Sequence, residues 1–565
     1  MPSDRLGQAL RELSARGFRP SFNRGGVRGF IGNLDCRGHP VQVEFHLEDW
    51  DFLTYPAIRV LDGIDHTVLA PHISPEGWLC YLQKGSLVLD RFAPAIAIAQ
   101  CMEQARGVLT SIKFDPKYRK ADVLDEFESH WLQGQSTSHR LVLMGSIKPK
   151  AKSTNYWVIS SAQGPQFMLA DDAEEVRAIA QALGGDPPRE TTCPCWLFRS
   201  AIPPAVPERM PATVKELFKW LQQWDADIYR ELQQVLGREL SYLKYSTATF
   251  AVHTTAGWLG FGFELSHLER LAAIKAKKPS VYRQHLHGRG SARGLMRLVI
   301  GEIGPDFVHS RNLSFQDLRG KRIKVVGCGA IGSHVAEGLV RLGAGSGGGR
   351  LSLIDSEILM PENLGRHALG YPSLFKKKAV GLQEELLRQF PLANIEAVSD
   401  VAEKLGSIFR CDLVVDATGE EPLSELLNAR RLDSGSLTPL LHAWIIGNGE
   451  GVQGIWAQGQ KFACYRCCLL LPQQDGSRVE RYPVLNTGAA PQRRMIGCQA
   501  FTPYAVGAPM AAAALVMEFV GDWLQTGDPS PRFRTRLTAR ADARKIKNQD
   551  ASRLPGCPAC DADAA

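Results

Sequence analysis

The stretch KRIKVVGCGAIGSHVAEGLVRLGAG, residues 321–345, constrains the fold most. A basic pair leads into an apolar run, then a glycine turn, then residues of helical periodicity. Gly327, Gly329 and Gly332 fit G-x-G-x-x-G in the strand–turn–helix setting that gives the motif meaning. Such a turn lets backbone N–H groups approach a phosphate at a helix N-terminus. A second apolar run, RLSLIDSE, ends on Asp355, placed to bond ribose hydroxyls. From about residue 313 the chain alternates strand, turn and helix, the pattern of a parallel α/β sheet. Up to this point a dinucleotide oxidoreductase fits equally well.

The following segments separate the readings. PENLGRHALG places Asn363 and Arg366 three residues apart, on one side of a helical turn. FKKKAVGLQEEL adds Lys378, and DLVVDATGEE puts Asp416 at the end of another apolar strand. An arginine fork and a lysine point charge suit phosphate oxygens, and a carboxylate at a strand end suits Mg²⁺. Together they favour a triphosphate over a nicotinamide dinucleotide.

At 565 residues the chain exceeds one ordinary core, and three zones are expected, at 1–140, 141–310 and 311–565. The net charge of +7 is small for this length, and the basic runs are short, as at Lys376, Lys377 and Lys378. They read as solvated surface, so direct nucleic-acid contact is not expected. The opening MPSDRLGQALRELSARGF has Leu6, Leu10 and Leu13 at helical spacing with charges throughout, an amphipathic helix and not a signal sequence. The longest apolar run, residues 505–517, is too short to span a bilayer. A cytoplasmic protein without a membrane partner is expected, and thirteen cysteines then point to metal or thiol chemistry.

Two C-x-x-C pairs, Cys464/Cys467 and Cys557/Cys560, have the spacing of a closed Cys₄ zinc site that ties the C-terminus to the domain body. Cys193 and Cys195, with one residue between them, do not, and read as structural. Cys498 stands before a Thr-Pro turn and an alanine-rich helix, with Arg493 and Arg494 nearby, a setting that lowers a thiol pKa. The middle zone offers strand-like LVLMGSI and YWVISSA, a proline-rich strip at 201–212 and a helical run at 213–237, and is the least legible.

Residues 313–565 resemble the ThiF/MoeB and ubiquitin-activating adenylyltransferase family. That resemblance implies a Rossmann-like adenylation domain using MgATP to activate a C-terminal carboxylate. By motif match, Asp355, Asn363, Arg366 and Lys378 would contact ATP, Asp416 would hold Mg²⁺, and Cys498 would carry the thioester. Arg311 would reach a nucleotide across a homodimer, and the cysteine pairs would bind Zn²⁺. The N-terminal zone resembles the ubiquitin-conjugating α+β fold. LTYPAIRVLDG matches its Tyr-Pro strand, His72, Gly77 and Cys80 match its H-P-N-x-x-x-x-G-x-x-C loop, and DRFAPAIAIAQCMEQARGVL matches the following helix. Cys80 takes the catalytic position. Ile73 and Ser74 follow His72, so the usual oxyanion asparagine is missing, and Ser74 or a backbone N–H is the available replacement.

Both ends on one chain, with a mixed α/β linker between them, resemble the two-headed transferases of CBASS anti-phage operons. The implied partner is the C-terminal tail of a cGAS-like nucleotidyltransferase or of a ubiquitin-like protein, and the implied acceptor is a target amine. Two other functions compete: a sulfur-carrier adenylyltransferase, and a non-catalytic scaffold that binds a tail. The His72–Gly77–Cys80 loop speaks against the first and the full ATP set against the second.

Overall fold

The computed structural model describes residues 3–24, 27–48, 52–65, 68–83, 86–132, 141–186, 193–402, 406, 408–470, 479–496, 499–538 and 543–561. The chain forms two compact units, 1–176 with 186–301, and 177–185 with 302–565.

The first unit opens with the helix Ser3–Ala15, which buries Ala9 and Leu13. A meander of five antiparallel strands follows: Arg19–Arg24, Val27–Cys36, His39–Leu47, Ala57–Asp62 and Trp78–Leu79. In His39–Leu47 the residues Val41, Val43, Phe45 and Leu47 are fully buried and alternate with more exposed neighbours, as expected of a sheet packed on one face. That face meets the helix Pro94–Phe114, whose Ala97, Ile98, Cys101, Ala105 and Leu109 join one core with it. Cys101 is thereby a core residue.

The same unit holds a closed barrel of seven strands, which sequence patterning did not reveal. Around the barrel they run Thr247–Thr254, Gly257–Glu264, Met296–Glu302, Leu141–Met144, Gly164–Ala170, Ser153–Ser161 and Cys193–Arg199. Closure removes free sheet edges. An aromatic core of Trp196, Phe198, Phe250, Phe261 and Phe263 fills one side, where the helices Val214–Trp224 and Ala226–Arg238 pack. The first of these begins in a capping box, Thr213 with Glu216. Cys195 is buried among barrel residues.

The second unit is built on a seven-stranded sheet in the order Ile395–Val398, Arg350–Ile354, Arg322–Val326, Leu413–Asp416, Leu440–Ile446, Gly451–Ala457, Phe533–Leu537. The first five are parallel, and Gly451–Ala457 runs antiparallel to both of its neighbours. Leu413, Val414 and Val415 are fully buried, because helices cover both faces of a parallel sheet. The chain moves outward from Arg322–Val326 in one direction and returns to its other side with Leu413–Asp416. That reversal opens a crevice at the carboxyl ends of these strands, where ligands of doubly wound sheets sit.

Candidate active sites

At the crevice lies a cavity of about 430 Å³ walled by Gly327, Gly329, Asp355, Lys378, Thr418 and Glu420, among others. The glycines have distinct local reasons. Gly327 has φ +84°, and a Cβ there would stand 2.9 Å from the Thr418 backbone. At Gly332 a Cβ would fall 1.7 Å from the Gly327 carbonyl oxygen, so only glycine lets the helix Ala330–Arg341 start so close to the turn. At Gly329 a Cβ would meet nothing within 4 Å, which leaves its backbone open to the cavity.

Asp355 braces the turn from the neighbouring strand. Its Oδ2 accepts the Cys328 N–H at 2.7 Å and its Oδ1 accepts the Glu357 N–H at 2.7 Å. Burial pushes its carboxyl up, against those bonds and the Lys378 charge. Lys378 begins the helix Lys378–Gln389; its side chain is nearly buried and its ammonium pairs with the exposed Glu357. A phosphate entering the cavity would find this cation already placed.

Asn363, Arg366, Gly332, Asp416 and Arg311 do not line the cavity. Asn363 Oδ1 accepts the Met360 N–H at 2.9 Å, which closes the turn Pro361–Asn363. The Arg366 guanidinium lies 5.0 Å over the ring of Tyr504, itself part of the cavity wall. Arg311 is exposed and covers Phe307 at 5.3 Å.

The strand-end position of Asp416 suggests a metal ligand, but its carboxylate is 1% exposed and fully engaged. Its Oδ1 accepts from Thr418 N–H at 3.1 Å and Thr418 Oγ1 at 2.7 Å, and its Oδ2 accepts from Ser424 Oγ at 2.5 Å. His442 Nδ1 lies 2.7 Å from the same Oδ2. Burial alone would raise this carboxyl, but the His442 bond and charge, with Ser424 and Thr418, hold it below the usual range. In this arrangement Asp416 fixes the turn 418–420. The carboxylates that reach the cavity wall are Asp355, Glu357, Asp400 and Glu420.

The four cysteines predicted for zinc converge. Their sulfurs all lie within 4.8 Å of one another, with Cys464–Cys467 at 3.8 Å, Cys464–Cys557 at 3.9 Å and Cys467–Cys560 at 3.4 Å. Tetrahedral Zn–S bonds of ~2.3 Å put sulfurs ~3.8 Å apart, so the donor set fits this metal. The purified protein should carry about one tightly held zinc per chain. Cys557→Ser should lose metal and thermal stability together, measured by elemental analysis and melting. A metal-free protein of undiminished stability would contradict the assignment.

In the first unit, Cys80 is exposed at the end of a self-closed loop. Cys80 N–H donates to the His72 carbonyl at 2.7 Å, and Ser74 N–H to the Trp78 carbonyl at 2.9 Å. Gly77 has φ +88°, and a Cβ there would press to 2.6 Å from the Val60 carbonyl oxygen, so glycine seats the loop on the sheet. Ser74 Oγ accepts the Trp78 N–H at 3.2 Å and also bonds Glu76, so this hydroxyl is committed to its own turn. His72 Nε2 lies 2.7 Å from Asp122, and its Nδ1 lies 3.8 Å from Glu126. A cavity of about 360 Å³ opens between Cys80, His72, Glu126 and His130.

A thiolate nucleophile is favoured at neutral pH when its pKa is lowered. Desolvation, then the charges of Glu126 and Asp122, instead push the Cys80 thiol up. Its alkylation should therefore accelerate only above the ordinary thiol range, yet precede that of Cys328, which is fully buried. Glu126→Gln should speed the reaction about two- to fivefold at neutral pH, read by mass-spectrometric mapping. An unchanged rate would remove Glu126 from the thiol's environment.

Cys498, the other expected nucleophile, lies outside the described residues. Sequence reading did not single out Thr418, Glu420, His442 or Tyr504. The DATGEE segment held the first two, but only the strand crossing brings His442 to Asp416. Asp122 and Glu126 were legible as carboxylates one helical turn apart, without any hint that they face Cys80.

The ThiF family matches residues 299–556, and prokaryotic E2 family B matches residues 26–138. The ATP-dependent ubiquitin transferase-like protein Cap2 of Pseudomonas aeruginosa is 28% identical over 533 residues, 93% of this chain and 92% of that relative. Its Escherichia coli namesake is 22% identical over 526 residues, 87% of this chain and 86% of its own. The crystal structure of E. coli MccB aligns with 43% of this chain and 66% of its own at 20% identity and a TM-score of 0.34. The chain is a fused E1/E2-like enzyme, in which an adenylating domain for ATP-dependent activation of a C-terminal carboxylate follows a domain for ubiquitin-like conjugation. It is similar to the Cap2 proteins along most of its length, across both the activating and the conjugating parts.

Proposed function

We propose that this enzyme joins the C-terminus of a cGAS-like nucleotidyltransferase to a target amine in anti-phage defence. The observation that carries the chemistry is the open glycine turn beside Lys378 at the sheet crossover. A terminal carboxylate oxygen attacks the α-phosphorus of ATP, and pyrophosphate leaves. The Cys498 thiolate then attacks the acyl carbon and AMP leaves. Cys80, as thiolate, displaces Cys498. A target amine, probed first as lysine, displaces Cys80 and loses a proton, leaving an amide. Adenylation is required because a free carboxylate is a poor acyl donor.

The three zones 1–140, 141–310 and 311–565 serve as conjugating, linking and activating domains in this scheme. Asp355 and Lys378 meet the nucleotide from the cavity wall, Asn363 and Arg366 are assigned to it by motif from just outside that wall, Arg311 is supplied across a homodimer, and the protein works in the cytoplasm. Among the described residues no helix is long and apolar enough to cross a membrane. Mg²⁺ would supply charge neutralisation at the phosphates, and Asp416 is the carboxylate assigned to it by motif. For Asp416 to take that role directly, its Oδ1 must exchange a Thr418 bond for the ion. In the present geometry it acts by placing the 418–420 turn.

Incubation of the full chain with ATP and a cGAS-like nucleotidyltransferase carrying a free C-terminus tests the scheme. The expected result is partner-dependent pyrophosphate exchange and an amide product of increased mass. Exchange indifferent to the partner's C-terminal carboxylate would overturn it.

A further inference from the structure

The Cys328–Gly329 peptide in the glycine turn is gripped on its carbonyl side. His367 Nε2 lies 2.7 Å from the Cys328 carbonyl oxygen. A carbonyl only accepts, so this nitrogen carries the proton. The other ring nitrogen, Nδ1, accepts the Leu369 N–H at 3.0 Å and therefore carries none. The two bonds fix one neutral tautomer and use both nitrogens. The ring is buried, and that burial pushes its pKa down to about 4, so it keeps this form around neutral pH.

The Cys328 N–H goes to Asp355 and the Cys328 carbonyl to His367, so one residue of the turn is held by two different segments of the chain. A trans peptide points its N–H away from its carbonyl. Holding the Cys328 carbonyl therefore fixes the direction of the Gly329 N–H. Gly329 lines the nucleotide cavity, whereas His367 stands behind the wall. Without a Cβ at residue 329 this peptide rotates easily, and its orientation depends on such a hold.

The support is anchored independently of the imidazole. Ala368 N–H donates to Ser333 Oγ at 3.1 Å, and Ser333 is fully buried on the helix Ala330–Arg341. His367 N–H donates to the Asn363 carbonyl at 3.1 Å. Leu369 is buried in the core of the parallel sheet. Replacing the ring leaves these backbone anchors, and the loss falls on the turn.

We propose that His367 is a positioning residue for nucleotide binding, whose ring holds the Cys328 carbonyl aside so that the Gly329 N–H meets a phosphate oxygen. The proposal rests on the reading of the crevice as the ATP site. A carbonyl oxygen swung into the cavity would repel the triphosphate, so the hold acts on the phosphates and not on the adenosine.

The test compares His367→Gln with His367→Met in the full chain. Both fill the space of the ring, but only Gln donates to the carbonyl. Competition against a fluorescent adenine nucleotide gives separate affinities for MgATP and adenosine, and melting reports the fold. His367→Met should weaken MgATP about three- to tenfold, the loss of one hydrogen bond, and leave adenosine unchanged. His367→Gln should hold MgATP within about twofold of wild type. Equal weakening of MgATP and adenosine in His367→Met would overturn the proposal, and so would MgATP affinity untouched by that substitution. If His367→Met does not fold, His367→Gln still decides: a folded variant that has lost MgATP affinity but not adenosine affinity overturns the role of the donor. Lys378→Ala separates this failure from that of the ATP reading. MgATP bound by Lys378→Ala as by wild type would remove the nucleotide from the crevice, whatever the His367 variants do.

Discussion

Asp416→Ala should abolish pyrophosphate exchange and also destabilise the second unit by about 3–5 kcal/mol, because it leaves the buried His442 and three donors, the Thr418 N–H and hydroxyl and the Ser424 hydroxyl, without their acceptor. The carboxylate is 1% exposed and is met by Thr418, Ser424 and His442, of which Ser424 and His442 are themselves buried and have no water to turn to. A melting-temperature loss on the order of 10 °C is expected. Asp416→Asn, which keeps shape and one acceptor, should lose less stability but still lose the charge. The pH dependence has a definite sign. The folded carboxyl titrates below its unfolded value, so its contribution is complete above about pH 4 and is lost as pH falls through the lowered folded value. In Asp416→Asn that acid limb should shrink. Denaturant unfolding of wild type and Asp416→Asn from pH 7 to pH 3 measures it, and identical pH profiles would show that the His442 contact stabilises nothing.

The second large effect is an order of loading. Acyl transfer runs outward from the adenylate, so the thiol belonging to the activating domain must load first. Cys498→Ala should reduce the Cys80 adduct to background while leaving partner adenylation intact. Cys80→Ala should retain a reductant-sensitive adduct on Cys498 and form no amide. Cys80→Ser should trap an oxyester that survives reductant, since an alkoxide is a poorer leaving group than a thiolate. The raised pKa of Cys80 has a consequence for this relay. The relay from Cys498 to Cys80 should quicken as pH rises toward the Cys80 value, because only the thiolate attacks. Normal loading of Cys80 in Cys498→Ala would end the two-thiol scheme.

Legibility in the sequence followed the range of the interactions. The glycine turn was readable because each of its three glycines answers a constraint within six residues: a left-handed φ, an open backbone, and a 1.7 Å approach to a carbonyl. The zinc pairs were readable because each pair is local, although 93 residues separate Cys464 from Cys557. The His72–Gly77–Cys80 loop was readable because it closes on itself. The barrel was not. Its strands pair across large gaps, such as Cys193–Arg199 with Thr247–Thr254, and their periods are broken by aromatic residues that face a helical layer. Asp416 was located at the right strand end, but sequence does not record how many donors will surround a carboxylate. Similarly, Asp122 and Glu126 come near Cys80 only through folding, where desolvation first and then their charges push its thiol up.

If a protein's C-terminal carboxylate is the group that reacts with ATP, the chemical state of that carboxylate controls exchange. ATP–pyrophosphate exchange by the full chain should appear with a cGAS-like nucleotidyltransferase partner, vanish when its last residue is amidated or its tail removed, and persist in Cys498→Ala and Cys80→Ala. Exchange that continues with an amidated tail would contradict it, as would exchange lost in Cys80→Ala with the chain still folded.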